Sequence, residues 1–241
     1  KKYSQKIFRD STQHAALQNW QSLAVYDRKA AQREFLAFLR DPESVFQTAP
    51  TYLKKGNSAT VIRVRLDGRD LVIKRYNLKS LWHRLRRLFR HTRAWNAWRI
   101  AKKMELFGVA TAKPVGFLEH RIGAFRGVSY FVSEYAGDYH AGEFFKRYAN
   151  NAIVTNAMVQ KIASLLKNVA RIDLTHGDLK ITNILVNKSV EPILIDLDGT
   201  EEHYSATLAN YQWRRELQRF MENFVESPQI GDLFKEELGL R

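Results

Sequence analysis

The spacing of apolar residues changes at about residue 50. Before it, apolar residues recur at helical spacing, which predicts that residues 1–48 are mainly helical, with Asp41-Pro42 as a stop. From Tyr52 onward apolar and polar residues alternate, which predicts three short strands. Gly56-Asn57 and Asp67-Gly68 are turns of the hairpin type between them. The predicted strands are 52–55, 60–66 and 71–74.

The rest of the chain reads mostly as helix. Two helices are predicted at about 81–90 and 93–107, the second ending at Gly108. The later predicted elements are strands near 115–118 and 129–133, helices at about 141–149 and 153–171, a polar loop at 175–183, apolar runs at 184–186 and 192–195, and a helix at about 208–224. This order predicts an α+β chain with a lobe boundary near Gly137.

The charge of the chain is high and uneven. Among 241 residues, 39 Lys and Arg stand against 25 Asp and Glu, a formal charge of +14. Eleven of the basic residues and no acidic residue lie between Lys74 and Met104. This excess favours an anionic partner, namely nucleic acid, a membrane surface or a phosphorylated ligand. The absence of cysteine excludes disulfide scaffolds, thiolate zinc sites and cysteine nucleophiles. The sequence contains no run of 18 apolar residues, the length that would predict a membrane-spanning helix.

The polar loop carries the strongest chemical signal. It reads His176-Gly177-Asp178-Leu179-Lys180-Ile181-Thr182-Asn183, and two further carboxylates, Asp196 and Asp198, follow the second apolar run. Phosphoryl transfer needs a carboxylate that takes the proton of the attacking hydroxyl, and oxygen ligands for Mg²⁺. Asp178 suits the base, Asn183 and Asp196 suit the metal, and Lys180 suits the charge on the transferred group. Three carboxylates among apolar strands also indicate compensation by cations.

A plainer interpretation treats the loop as an ordinary turn and Ile195-Asp196-Leu197-Asp198 as a strand edge. Either piece alone is compatible with it, but the order and spacing of both favour the chemical interpretation. Gly-x-x-x-x-Gly-Lys-Ser/Thr loops, Gly-x-Ser-x-Gly elbows and histidine pairs at metal-binding spacing are absent from the sequence. The P-loop and serine-hydrolase classes are therefore excluded.

The pattern Asp178-x4-Asn183 followed by Asp196 resembles the catalytic loop and metal-binding aspartate of the protein-kinase-like superfamily. Val72-Ile73-Lys74 is similar to its Val-Ala-Ile-Lys strand. The resemblance implies a bilobal fold that binds ATP and Mg²⁺, with Lys74 on phosphate. It further implies a phosphate-covering loop at Gly56, Asn57 and Ser58, an adenine-binding hinge at Glu134, Tyr135 and Ala136, and metal ligation by Asn183, Asp196 and Asp198.

Within this superfamily the chain resembles the bacterial lipopolysaccharide kinases, the Kdo and heptose kinases of the inner core. The resemblance covers about 52–225 and rests on Ile73-Lys74-Arg75-Tyr76-Asn77, the basic 82–90 segment, Arg93-Ala94-Trp95, 108–114 and the Asp178 loop. It implies phosphorylation of a core sugar hydroxyl at the cytoplasmic face of the inner membrane of a Gram-negative bacterium. The expected domains are an N-terminal helical extension (1–50), a small antiparallel β-sheet lobe (51–136) and a compact, mainly helical lobe (137–241).

The sequence departs from ordinary protein kinases in three places. The helix at 93–107 contains one acid, Glu105, as a partner for Lys74. Three partners for Lys74 therefore stay open: Glu105, an acid from elsewhere in the chain, or nucleotide phosphate alone. Gly177 stands where regulated kinases carry an arginine that reads a phosphorylated loop. Only 43 residues follow Asp198, fewer than a peptide-docking lobe needs. The last two departures favour a small or lipid-linked acceptor.

The basic amphipathic segment at 81–90 has three interpretations. It is a solvated surface helix, a contact with anionic lipid head groups or charged saccharide, or, as the third choice, a nucleic-acid contact. Three functions stay open accordingly. The first is a lipopolysaccharide core kinase using Lys74, Asp178, Lys180, Asn183 and Asp196. The second is a compact atypical protein kinase, and the third is a nucleotide-binding pseudokinase that acts as a scaffold.

Overall fold

The structure is a computed structural model that describes residues 6–48, 50–77, 91–122, 125–137 and 139–240. The chain divides into two compact units. One comprises Lys1–Lys103 and Lys113–Tyr135, and the other comprises Met104–Ala112 and Ala136–Arg241. We call them the sheet unit and the helical unit. The predicted basic helix at 81–90 lies outside the described residues. None of the described helices has the length and apolar character needed to cross a membrane.

The sheet unit is built on seven antiparallel strands. In chain order its elements are β1 (His14–Gln18), β2 (Ser22–Asp27), α1 (Arg33–Arg40), α2 (Ser44–Gln47), β3 (Thr51–Lys55), β4 (Ala59–Leu66), β5 (Arg69–Tyr76), α3 (Arg93–Leu106, which runs into the helical unit), β6 (Pro114–Ile122) and β7 (Phe125–Glu134). The strand order is β1-β2-β6-β7-β5-β4-β3. The predicted strands at 52–55, 60–66 and 71–74 and the predicted helix at 93–107 are confirmed, with small shifts at their ends.

Residues 6–48, the described part of this segment, are not mainly helical, and that prediction was wrong. Residues 14–18 and 22–27 are strands of the large sheet, and between residues 11 and 48 helix is confined to a 3₁₀ turn at Arg28–Ala30 and to α1 and α2. The hairpin turn is held by the Asn19 side chain, whose Oδ1 accepts the N–H groups of Gln21 (2.8 Å) and Ser22 (2.7 Å). β2 pairs with β6, a strand far along the chain. Because this pairing is non-local, the apolar spacing of the segment alone does not reveal it.

Both faces of the large sheet are covered by helices. On one face α1 and α2 bury aromatic side chains against β4, β5 and β7, with Phe35, Phe38 and Phe46 packing on Ile62, Ile73 and Tyr130. On the other face α3 packs with Ala94 and Trp98 on Val25, Tyr76 and Phe117. Removing these apolar side chains from water stabilises the unit, since each large side chain contributes roughly 1.5–3 kcal/mol. The N-terminal residues therefore complete the core of the sheet unit.

The helical unit contains a long central helix and two small sheets. Its elements are β8 (Tyr139–His140), α4 (Ala141–Arg147), α5 (Ala152–Arg171), β9 (Leu174–Thr175), β10 (Ile184–Val186), β11 (Pro192–Leu194), β12 (Glu201–Glu202), α6 (Ala206–Met221) and α7 (Pro228–Leu238). The Asn151 side chain caps α5 by accepting the Val154 N–H. The predicted elements at 141–149, 153–171, 184–186, 192–195 and 208–224 are confirmed, whereas α7 was not predicted.

Candidate functional site

The polar loop runs between the two small sheets of the helical unit. It leaves β9, contains a 3₁₀ turn at Ile181–Asn183 and enters β10. The segment that carries Asp196 and Asp198 runs from β11 to β12. β9 pairs with β12 and β10 pairs with β11, all antiparallel. The two loops thus join the same two ladders and are fixed side by side.

Gly177 lies close against the second loop. Its φ is +81°, in the left-handed region that favours glycine, and a Cβ atom there would lie 2.5 Å from the carbonyl oxygen of Gly199. The backbone therefore requires glycine at position 177. The sequence alone suggested only that a regulatory arginine is missing there.

A buried carboxylate on α6 holds the start of the loop. Glu216 is 1% exposed, and its two oxygens accept the backbone N–H groups of His176 (2.7 Å) and Gly177. The His176 ring is equally buried, and its Nε2 lies 2.8 Å from the Ile195 carbonyl oxygen, to which it donates. Sequence reasoning missed Glu216, because an acidic residue in a polar amphipathic helix carries no sign that it is buried.

Asp178 is oriented by two neighbours on its own loop. Its Oδ2 accepts a hydrogen bond from Lys180 Nζ at 2.8 Å. Asn183 Nδ2 donates to the Asp178 carbonyl oxygen at 2.8 Å and also lies 3.4 Å from Oδ2. Oδ1 accepts no hydrogen bond from any residue within the described ranges. The carboxylate is 60% exposed, so one of its oxygens is open to a ligand.

The β10–β11 hairpin brings Asn183 next to Asp196. Ile184 pairs with Leu194, and just beyond this pair the Ile195 N–H donates to the Asn183 carbonyl oxygen at 2.9 Å. Asp196 follows directly with φ +66° and ψ +46°, a left-handed conformation that costs a non-glycine residue about 1–3 kcal/mol. Asp198 is buried at 9% exposure in the 3₁₀ turn Leu197–Gly199. Such strain at a loop carboxylate is typical of functional sites.

The donor chemistry of this corner fits Mg²⁺. Because Asn183 Nδ2 is directed at Asp178, its Oδ1 is left as the side chain's acceptor, and Asp196 adds carboxylate oxygens. Mg²⁺ prefers such oxygens and is usually held by one or two carboxylates together with substrate phosphate. Groups of three or more His, Asp or Glu residues able to hold a metal by themselves are absent from the described part of the chain.

A cavity of about 320 Å³ opens beside Asp178. The loop forms one wall with Gly177–Lys180. α6 and the 3₁₀ turn that follows it (Glu222–Phe224) form the other wall with Glu216, Arg219, Glu222 and Asn223. Its volume lies in the range of small-molecule sites.

The lysine predicted to bind phosphate lies on an inner strand of the large sheet. Lys74 is half-buried in β5, where it pairs with Val61 of β4 and Phe131 of β7. Its Nζ lies 5.0 Å from the centre of the Tyr76 ring, and the Arg93 guanidinium lies 4.8 Å from the same ring. Two cations therefore share one aromatic side chain on this face. On α3 the buried face carries Ala94, Ala97, Trp98 and Ala101, whereas Glu105 is exposed.

The turn between β3 and β4 contains the predicted phosphate-covering residues. The Gly56 N–H donates to the Ala59 carbonyl oxygen at 3.1 Å, and Asn77 Nδ2 donates to the Gly56 carbonyl oxygen at 3.0 Å. The Asn77 N–H donates to the Ser58 carbonyl oxygen at 3.2 Å. These bonds leave the N–H groups of Asn57 and Ser58 without an acceptor among the residues that the structure describes. The turn is therefore fixed while two donors stay open.

The predicted hinge residues are partly engaged in the sheet. The Glu134 N–H donates to the Lys113 carbonyl oxygen (2.9 Å) and the Tyr135 N–H to that of Asp70 (3.0 Å). The Glu134 carboxylate also pairs with Arg69 at 2.8 Å and with Lys113 at 3.4 Å. Of the three residues, Ala136 alone keeps an N–H that donates to no described residue. Glu134 is thus a structural anchor of this strand end.

The helical unit brings together Asp178, Lys180, Asn183 and Asp196, and Lys74 and the Gly56–Ser58 turn belong to the sheet unit. A mixed α and β chain with a large antiparallel sheet is compatible with a kinase-like fold. No curated protein matches the chain. The model of the lipopolysaccharide kinase (Kdo/WaaP) family matches residues 43–232, most of the chain, and the protein therefore belongs to this family.

Proposed function

We propose that the protein is an ATP- and Mg²⁺-dependent kinase that phosphorylates a sugar hydroxyl, of heptose or Kdo, in the lipopolysaccharide inner core. The observation that carries the proposal is the open Oδ1 of Asp178. This carboxylate is oriented by Lys180 and Asn183 and borders a cavity large enough for a sugar. A general base needs this combination of fixed orientation, a free oxygen and access for the acceptor.

In the proposed reaction the acceptor hydroxyl oxygen attacks the γ-phosphorus of ATP. Asp178 Oδ1 takes the proton of that hydroxyl. The bond between the γ-phosphorus and the oxygen that bridges it to the β-phosphorus breaks, and ADP leaves with the bonding electron pair. Lys180 Nζ, 2.8 Å from Asp178 Oδ2, holds the carboxylate in place and lies close enough to neutralise the transferred phosphoryl group.

We assign Asn183 and Asp196 to the metal, with Asp198 as the further carboxylate of the same segment. When bound there, Mg²⁺ supplies positive charge that offsets the negative charge of the phosphates. The left-handed backbone at Asp196 and the bond from Ile195 N–H to the Asn183 carbonyl oxygen support the assignment, because they fix the backbone that carries both side chains.

We assign nucleotide binding to residues of the sheet unit. Lys74 is proposed to bind phosphate, and the open N–H groups of Asn57 and Ser58, next to Gly56, suit phosphate oxygens. At the predicted hinge, Ala136 is the favoured N–H donor for adenine, since Glu134 and Tyr135 already donate within the sheet.

We propose that the protein works at the cytoplasmic face of the inner membrane of a Gram-negative bacterium. The support is electrostatic: eleven basic and no acidic residues lie between Lys74 and Met104. Each basic residue close to an anionic surface contributes about 1 kcal/mol to binding. Nucleic acid stays the less favoured anionic partner.

Transfer of radiolabelled phosphate from γ-labelled ATP to purified core saccharides tests the proposal. Acceptors that lack phosphate at individual heptose and Kdo positions identify the hydroxyl. We expect Asp178→Asn to lower turnover about 100-fold or more while ATP binding persists. Asp196→Ala should abolish transfer at every Mg²⁺ concentration tested. Label transfer to protein but not to saccharide would replace the proposal by a protein kinase, and ATP binding without transfer would replace it by a pseudokinase.

A further inference from the structure

The cavity beside Asp178 has a second wall that the proposed chemistry does not use. Four side chains of α6 and the turn after it line that wall. Glu216 is already engaged, because both its oxygens accept backbone N–H groups of the loop. The groups left to face a ligand are those of Arg219, Glu222 and Asn223.

These three side chains differ in how firmly they are held. Asn223 is fixed, since its Oδ1 accepts the Ile181 N–H at 3.3 Å and its Nδ2 donates to the Phe220 carbonyl oxygen at 2.6 Å. The side chains of Arg219 and Glu222 form neither a hydrogen bond nor an ion pair with any residue in the described ranges. A guanidinium and a carboxylate without partners therefore flank a rigid amide at the cavity wall.

The lining selects for a polar ligand. The one large apolar residue in it is Leu179, whose side chain is buried. A carboxylate accepts hydrogen bonds from neighbouring hydroxyls, and a guanidinium binds a carboxylate or phosphate in a bidentate manner. A volume of about 320 Å³ accommodates a single sugar unit with one acidic substituent.

We propose that this cavity is the acceptor site, and that it recognises an acidic sugar. Arg219 binds the anionic substituent, a carboxylate or a phosphate monoester, and Glu222 accepts hydrogen bonds from the ring hydroxyls. This rests on the proposed kinase function, because it places the acceptor hydroxyl next to Asp178. It adds that the acceptor is chosen by its negative charge, through a residue outside the loop.

The test replaces Arg219 and removes the acidic group from the acceptor. Arg219→Gln is expected to raise the KM for deacylated core saccharide about tenfold, while the KM for ATP stays unchanged. Arg219→Lys should restore part of the loss, because it keeps the charge without the bidentate geometry. Arg214→Gln is the matched control, since it removes the same charge from an exposed position on the same helix that does not line the cavity.

Two modified saccharides, one with reduced carboxyl groups and one dephosphorylated, identify the source of the charge. The wild type should bind more weakly to the modified saccharide that lacks the recognised group. Arg219→Gln should bind that modified saccharide and the parent saccharide equally. Calorimetric titration without ATP measures the same preference independently of turnover. If the wild type transfers phosphate and Arg219→Gln has an unaltered KM for the acceptor, this inference is overturned and the kinase function stands. If the saccharide binds through Arg219 but no phosphate is transferred, the kinase function is overturned and the recognition of the acidic sugar stands. If the saccharide neither binds nor accepts phosphate, both are overturned.

Discussion

Glu216 of α6 accepts the backbone N–H of His176 through Oε2 at 2.7 Å, and its Oε1 accepts the N–H of Gly177. The two donors lie directly before Asp178, so a buried helix side chain fixes the start of the loop that carries the proposed base. An unpaired buried N–H or carboxylate is costly, which makes this contact important for the position of Asp178.

Glu216→Gln should therefore lower stability and activity together. The amide presents an NH₂ group to one of two backbone donors, so at least one hydrogen bond is lost and a buried donor is left unpaired. We expect a loss of about 2 kcal/mol in the free energy of unfolding, measured with urea. Gln218→Ala, an exposed change on the same helix, should have little effect. Equal unfolding midpoints for the two variants would contradict the role given to Glu216.

Gly177→Ala should destabilise the protein more than an alanine at another glycine of positive φ. Gly68, in the turn between β4 and β5, has φ +75° and open space around a Cβ atom, whereas a Cβ at Gly177 meets the Gly199 carbonyl oxygen at 2.5 Å. Gly68→Ala should cost only the conformational penalty, about 1–2 kcal/mol. Gly177→Ala should cost that amount plus the clash, and should reduce phosphotransfer. Similar losses in chemical unfolding would show that the two loops can separate without penalty.

The central strands and the position of the polar loop were predictable because their signals are local. The hairpins of β3 to β5 follow from alternation and turn residues, and the register of β10 on β11 follows from two apolar runs separated by a short polar turn. Asn183 and Asp196 come together through that hairpin, so their spacing in the sequence already indicated that they are neighbours.

The other parts depend on contacts that the sequence does not display. β2 pairs with the distant strand β6 and β1 pairs with β2, and Asn19 closes the turn between β1 and β2 through side-chain hydrogen bonds. Glu216 acquires its role from a loop distant along the chain. The hinge donors at Glu134 and Tyr135 are occupied by carbonyl groups that no local pattern identifies.

Lys74→Gln should weaken nucleotide binding and leave acceptor binding intact. The lysine lies half-buried on β5, an inner strand of the sheet, and its charge is the one that we assign to phosphate. We expect the Kd for ATP to rise about tenfold. Lys54→Gln on β3, which is exposed, is the matched control. Titration with a fluorescent ATP analogue measures both. An unchanged Kd in Lys74→Gln would remove Lys74 from the nucleotide site.

His91 should make stability depend on pH in the mildly acidic range. Its ring stacks on Trp95 with centres 3.7 Å apart, and partial burial, followed by the charges of Arg126 and Arg99, lowers the pKa of His91 below its usual 6.5. The unfolded chain therefore takes up this proton first as the pH falls, and stability is lost below about pH 6.5. His91→Phe keeps the stacking and should lose less stability between about pH 7.5 and pH 5.5. Equal losses in the two proteins, measured by thermal unfolding, would contradict this.

Tyr130 joins the N-terminal helices to the sheet. It is 1% exposed in β7, its hydroxyl donates to Glu43 Oε1, and Glu43 Oε2 pairs with Arg75. Tyr130→Phe removes the hydrogen bond to a charged group and should lower the free energy of unfolding by about 1.5–3 kcal/mol at neutral pH. Tyr204→Phe, at an 88% exposed position, is the control and should change little.

The same tyrosine should weaken the protein in alkali. Burial, followed by the hydrogen bond to Glu43, raises the pKa of Tyr130 far above its usual 10. Above about pH 10 the unfolded chain gives up this proton while the folded protein keeps it, so stability falls as the pH rises. Tyr130→Phe cannot titrate, and its deficit relative to the wild type should therefore shrink between about pH 8 and pH 11 in urea unfolding. A constant deficit across that range would show that the hydroxyl ionises as readily in the folded protein as in the unfolded chain.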